Sequence, residues 1–274
     1  LFLALPIVST VFMTFKIIKA SFIFLFAVTA SFFYLYRLNT IPSGLYVDEA
    51  IVGYNAYSIL QTGRDEYGQA FPIAFKFFGS YTPPLFVYLD TIFIHFLGLT
   101  PLALRLPSAL MGIITAILIG LIAKLIYPKN KLLPYIISLI TLITPWQLFY
   151  SRVGYEVYFG LFLLTLSFFF LLKSFRFPRL LFVTLPLLSL SAYTSHSQRL
   201  LVPIFFFLFI LIFRRFLAKN PSDFWNALIL SLIIQIPNLY LLTTPAFWVK
   251  TSLFAANSPL TTLRVLLSQF FVYL

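Results

Sequence analysis

The chain has 274 residues, of which 61% are hydrophobic, 20% aromatic and only 9% charged. A soluble domain carries about 25% charged residues, so nineteen basic and seven acidic side chains cannot cover a water-exposed globule of this size. That excludes a water-soluble enzyme, a disordered chain and a free nucleic-acid binder, and it leaves an integral membrane protein.

The net charge is +12. In a membrane protein such an excess first reads as an orientation signal, because Lys and Arg collect in cytoplasmic loops. There is no cysteine, and there are two histidines, so neither a disulfide nor a thiolate metal site arises. A metal here would need carboxylate ligands, which suit Mg2+, Mn2+ or Ca2+.

The chain opens with Leu1, and its first Met is Met13, with the basic residues Lys16 and Lys19 just after it. A short basic stretch ahead of an apolar run is a common start for a membrane protein. The last residues, Val265 to Leu274, are again apolar, so the chain reads as a fragment with further helices expected after it. A membrane-crossing helix needs about 20 mostly apolar residues. Such runs are predicted at 20–36, 106–123, 132–149, 157–172, 180–194, 200–213 and 224–243. A shorter run at 84–98 is interrupted by Asp90 and His95.

Four basic clusters set the topology: Lys16/Lys19, Lys124/Lys129/Lys131, Lys173/Arg176/Arg179 and Arg214/Arg215/Lys219. Placing all four inside gives seven spans and a cytoplasmic N-terminus. It leaves 84–98 on the outer face or dipping in and back. Treating 84–98 as a true span instead turns Lys124–Lys131 outward and inverts the remaining spans. The first topology gathers Asp48, Glu49, Asp65, Glu66, Asp90 and Glu156 outside, with only Asp223 inside.

The first outer loop then covers 38–105. Within it, residues 48–61 are predicted to form an amphipathic helix in the interface, with Ile51, Tyr54, Tyr57/Ser58 and Leu60 as its apolar positions. Asp48 and Glu49 open this helix. An acid there caps free N–H groups, and a carboxylate at the boundary also serves as a general base or metal ligand. Arg152 and Glu156 are four apart and are expected to share one helix face, as a structural ion pair or as an anion site beside an acid. The turn Tyr193–Arg199 is polar. Arg199 and Arg152 around an outer cavity suit a phosphate, because a guanidinium fork binds it bidentately. Lys76 and Arg105 fall in the same compartment. Asp90 and His95 read as interfacial polar groups rather than a dyad. Trp146, Tyr150, Tyr155 and Tyr158 read as an aromatic belt. No nucleotide-binding loop is present.

Five segments in order resemble the membrane-embedded GT-C glycosyltransferases of the family-39 type, which include protein O-mannosyltransferases and the aminoarabinose transferase of lipid A. They are Gly44-Leu45-Tyr46-Val47-Asp48-Glu49-Ala50, Tyr81-Thr82-Pro83-Pro84-Leu85, Arg105 to Leu110, Pro145 to Glu156, and Tyr193 to Pro203. The match covers about residues 20–210. The resemblance implies an all-α, polytopic transmembrane bundle, here a single membrane domain over 1–274. It implies inverting transfer of a sugar from a polyprenyl-phosphate donor to a protein, lipid or glycan acceptor, on the extracytoplasmic face of the cell membrane.

Carried over, Asp48 is the general base, Glu49 orients the acceptor or loop, and Glu156 is the second acid. Asp48 and Glu156 are the candidate ligands of a divalent cation, Mg2+ or Mn2+. Arg152 and Arg199 hold the leaving phosphate, and Tyr81 and His196 line the substrate pocket. Some relatives carry Lys just before the Pro-Pro pair; Thr82 stands there, and Lys76 is the proposed substitute. The rival reading is a transporter or flippase for lipid-linked sugars, which would place polar, broken helices near the midplane.

Overall fold

The computed structural model describes residues 4–246, with side chains from residue 17 onward. The readings made on Met13, Lys16 and the run after Val265 lie outside the described side chains. Among the described residues the fold is a bundle of helices with one small hairpin. In order these are α1 (Ala4–Ala30, continuing as a π-helical turn Ser31–Leu35), α2 (Val47–Thr62), β1 (Phe75–Phe77), β2 (Ser80–Thr82), α3 (Leu85–Leu97), α4 (Pro101–Ile126), α5 (Leu133–Ile143), α6 (Pro145–Ser151), α7 (Glu156–Ser174), α8 (Leu181–Ser191), α9 (His196–Lys219) and α10 (Pro221–Leu241).

Among the described residues, five helices are long and apolar enough to cross a membrane: Ile17–Leu35, Pro101–Ile126, Glu156–Ser174, His196–Lys219 and Pro221–Leu241. A sixth is reached if α5 and α6 count as one broken span. The chain is therefore a multi-pass membrane protein. Two of the seven expected spans differ from expectation. The run 132–149 is broken at Thr144, which takes an extended backbone ahead of Pro145, and α5 and α6 meet at 60°. A residue before proline is pushed out of the helical region, and that is the cause of the bend. The run 180–194 forms only the short apolar stretch Pro178–Ser191, about 21 Å at 1.5 Å per residue. Helix α3 is 13 residues long, too short to cross.

Local signals explain the starts. Thr100 caps α4, its hydroxyl accepting from the Ala103 N–H at 3.3 Å, with Pro101 at the first position. Ser195 caps α9 by accepting from the Gln198 N–H. Helix α2 ends at Gly63, whose φ of 68° is left-handed.

The short connections fold successive helices back on one another. Backbone and side-chain bonds tie the starts of α3, α4, α7 and α9 and the ends of α1 and α8 to one end of the bundle. Lys19, Lys124 and Lys173 lie a membrane-length helix away, at the other end.

Helix α2 packs inward through Val52, Gly53, Ala56 and Ile59, while Tyr54 and Tyr57 are exposed. Of the expected apolar positions, Tyr54 and Tyr57 thus face away from the protein, while Leu60 packs against the core. A Cβ at Gly53 would meet the Leu104 methyls at 2.7 and 2.8 Å, so small residues let α2 press against α4. The core there also takes in Phe86, Val87, Tyr158 and Leu163.

Candidate functional site

Arg105 stands in the second turn of α4 and is 1% exposed. Its Nε donates to Glu49 Oε1 at 2.9 Å, and its Nη2 to Glu49 Oε2 at 3.2 Å and to the Gly44 carbonyl. Its Nη1 donates to the carbonyls of Leu38 (3.2 Å) and Pro42 (2.9 Å). A guanidinium has five N–H donors, and all five are used. Glu49, also 1% exposed, accepts in addition from the Tyr46 N–H at 2.9 Å and the Gly154 N–H at 2.8 Å. A buried charge is tolerated only when paired and fully hydrogen-bonded. This pair meets that condition, and it joins loop 38–46, α2, α4 and the α6–α7 link into one unit. Gly154 is required in the link: a Cβ would sit 2.6 Å from the Leu104 carbonyl oxygen.

Above the pair lies a cavity of about 540 Å3 walled by loop 42–46, Glu49, Arg105, Tyr150 and Tyr155. Tyr150 stacks on Tyr155 (centroids 6.1 Å apart) and on Trp146 (6.2 Å). Trp146 is 69% exposed, so this ring ladder leads outward from the cavity.

Asp48 is half-buried on the first turn of α2, and Glu156 is half-buried at the first position of α7. Both act on the Tyr155 hydroxyl. Burial, then Glu156, then Asp48 push its pKa up to about 12, with Tyr46 and Tyr150 adding to the effect. Tyr155 lines the cavity, whereas Asp48 and Glu156 are not among its lining residues.

Arg152 and Glu156 do not share a helix, because α6 ends at Ser151 and α7 begins at Glu156. Arg152 instead straps the end of α1, donating to the carbonyls of Phe33, Tyr36 and Ile41. Burial and then the Arg105 charge lower its pKa.

Tyr81 and His196 meet: the His196 Nε2–H donates to the Tyr81 carbonyl at 2.7 Å. Lys76 faces Tyr81 across the β1–β2 hairpin, is exposed, and stands 4.8 Å from the Tyr67 ring centroid. Arg199 lines another cavity, of about 460 Å3, with Ser189, Gln235 and Asn238. There Gln235 donates to the Ser189 hydroxyl at 2.7 Å, and Asn238 donates to Gln235 at 2.9 Å.

Asp90 is not interfacial. It is 0% exposed inside the α2–α3–α4 core, with no hydrogen-bond partner for either carboxyl oxygen. Burial, then the Glu49 charge, raise its pKa well above the usual carboxylate range. His95 is exposed against Phe96, so no dyad forms.

Among the described residues no group of three or more His, Cys, Asp or Glu side chains is arranged to hold a metal ion. The Glu49–Arg105 pairing is not apparent in the sequence, where the partners are 56 residues apart. The usable signal was an arginine inside an apolar run, which demands a buried acid. Comparison of the chain with protein-family models, curated proteins and solved structures gave no match.

Proposed function

We propose that the protein is a membrane glycosyltransferase that moves a sugar from a polyprenyl-phosphate donor to an acceptor hydroxyl, with inversion at the sugar's anomeric carbon. The reading joins the ordered resemblance to GT-C enzymes with one observation. The charges of Glu156 and Asp48 both raise the pKa of Tyr155, which lines an aromatic-walled cavity at one end of a membrane bundle. Asp48 takes the acceptor proton as its oxygen attacks the anomeric carbon. The carbon–oxygen bond to the lipid phosphate breaks, and the phosphate leaves with the electron pair. Glu156 orients the acceptor from the start of α7, and the stacked tyrosines hold the sugar ring. Glu49 is a positioning residue, since its oxygens are engaged by Arg105, Tyr46 and Gly154. Arg152 keeps two N–H groups beyond its three carbonyl contacts, which suits it to stabilise the departing phosphate. By the same reading the cavity opens on the extracytoplasmic face, with the four basic clusters inside.

The test is transfer from polyprenyl-phosphate-linked sugars by membranes carrying the chain, with the product anomer assigned by NMR. The reading predicts consumption of donor and an inverted product. Retention of configuration, or no donor consumption by correctly inserted protein, contradicts it. A transporter for lipid-linked sugars is the second reading, and the 60° break between α5 and α6 favours it. Sugar-lipid translocation in vesicles without glycosidic-bond cleavage would select it.

A further inference from the structure

The end of the bundle away from the carboxylates holds a cavity of about 620 Å3 between α1, α4 and α5. Helices α4 and α5 close tightly on one side of it: a Cβ at Gly120 would meet the Pro134 carbonyl oxygen at 2.5 Å. Helix α1 reaches α5 through Phe22 stacked on Tyr135, with centroids 6.1 Å apart. The space left between α1 and α4 is a wedge.

Its wall is divided by chemistry. Lys19 of α1, Lys124 of α4 and Lys131 of the α4–α5 loop border it at the chain-end side, and none of its lining residues is acidic. Phe22, Phe26 and Ile117 line the deeper part. Lys124 lies in the last turn of the membrane-length helix Pro101–Ile126, and Lys19 of α1 borders the same cavity. That is the depth at which lipid phosphates lie, and basic pockets between spans at this level bind anionic headgroups.

We infer that this wedge is a binding site for one anionic glycerophospholipid, its phosphate held by Lys19, Lys124 and Lys131 and one acyl chain lying along Phe22, Phe26 and Ile117. A bare phosphate satisfies only the cationic rim, and a zwitterionic lipid brings its own cation to that rim beside its phosphate. An anionic lipid matches both the rim and the apolar part. Such a site requires only the membrane character of the chain and is independent of the transferase reading.

The test uses the purified chain in neutral detergent, with retained lipid read by native mass spectrometry after titration with phosphatidylglycerol or phosphatidylcholine. Each lysine near an anionic group is worth roughly a fivefold preference. The wild type should therefore favour phosphatidylglycerol by about a hundredfold, and a Lys19→Gln/Lys124→Gln/Lys131→Gln variant should lose that preference. A Lys173→Gln/Arg176→Gln/Arg179→Gln variant, altered at the same end but outside the wedge, should keep it. Leu121→Trp, which keeps every lysine and fills the apolar part, should lose retained lipid; it serves if the triple lysine variant fails to fold. Equal retention of the two lipids by the wild type overturns the inference. So does equal loss in both triple variants, unchanged retention by Leu121→Trp, or binding of inorganic phosphate as strong as that of phosphatidylglycerol.

Discussion

At one end of the bundle a cation is buried, and at the other end cations border open space. Arg105 is 1% exposed, and all five of its N–H donors meet Glu49 or backbone carbonyls. Lys19, Lys124 and Lys131 are exposed around a cavity with no acidic lining residue. The residue types follow from these settings. A planar fork satisfies several fixed acceptors at once, whereas a flexible ammonium suits a hydrated rim. The buried cation builds the site, and the exposed ones border a volume large enough for a ligand.

The comparison predicts unequal costs. Arg105→Leu leaves Glu49 charged, buried and unpaired, which costs about 3–5 kcal/mol. The variant should accumulate poorly and lose its cooperative thermal transition in detergent. Normal melting would show that the pair is not structural. Arg105→Lys should recover only part of the loss, since an ammonium has three donors and no fork.

Gly154→Ala forces the α6–α7 link away from the Leu104 carbonyl. Overpacking of this kind costs about 1–3 kcal/mol. A lowered melting temperature should appear together with weakened donor binding, because the link carries both the Glu49 contact and Tyr155.

Asp90 gives a smaller effect of opposite sign. Its pKa is raised in the fold, so its contribution to stability is present below the unfolded value of about 3.9. It is lost as pH rises toward the folded value. Asp90→Asn should melt higher at neutral pH and show a flatter dependence of melting temperature on pH. A lower melting temperature at neutral pH would mean that the carboxylate makes a favourable contact there. At the lysine end, Lys124→Gln alone should change stability by less than about 0.5 kcal/mol, and a larger loss would place it in a structural pair.

The multi-pass helical character was legible in the sequence because span length and absence of charge are local properties. The gathering of the basic clusters at one end follows from counting helices. What was not legible depends on partners distant in the chain. The inward face of α2 is made of Gly53 and Ala56, which score as weakly apolar, yet they allow the closest approach to Leu104. The conspicuous Tyr54 and Tyr57 point out. Asp48 and Glu49 look interchangeable as neighbours, but adjacent helix positions face different directions, so one is buried against Arg105 and the other is left beside Tyr155. The carboxyl at position 90 reads as a boundary group because its run is short and interrupted. Only packing shows it enclosed.

The division of labour between those two neighbouring acids is the central claim, and one variant addresses it directly. Asp48→Asn keeps the size of the side chain, leaves the Glu49–Arg105 pair untouched and removes the carboxylate proposed as general base. Sugar transfer from a polyprenyl-phosphate donor, measured at matched levels of inserted protein, should fall about a hundredfold or more, with the melting temperature unchanged. Transfer at the wild-type rate by that variant would contradict the account.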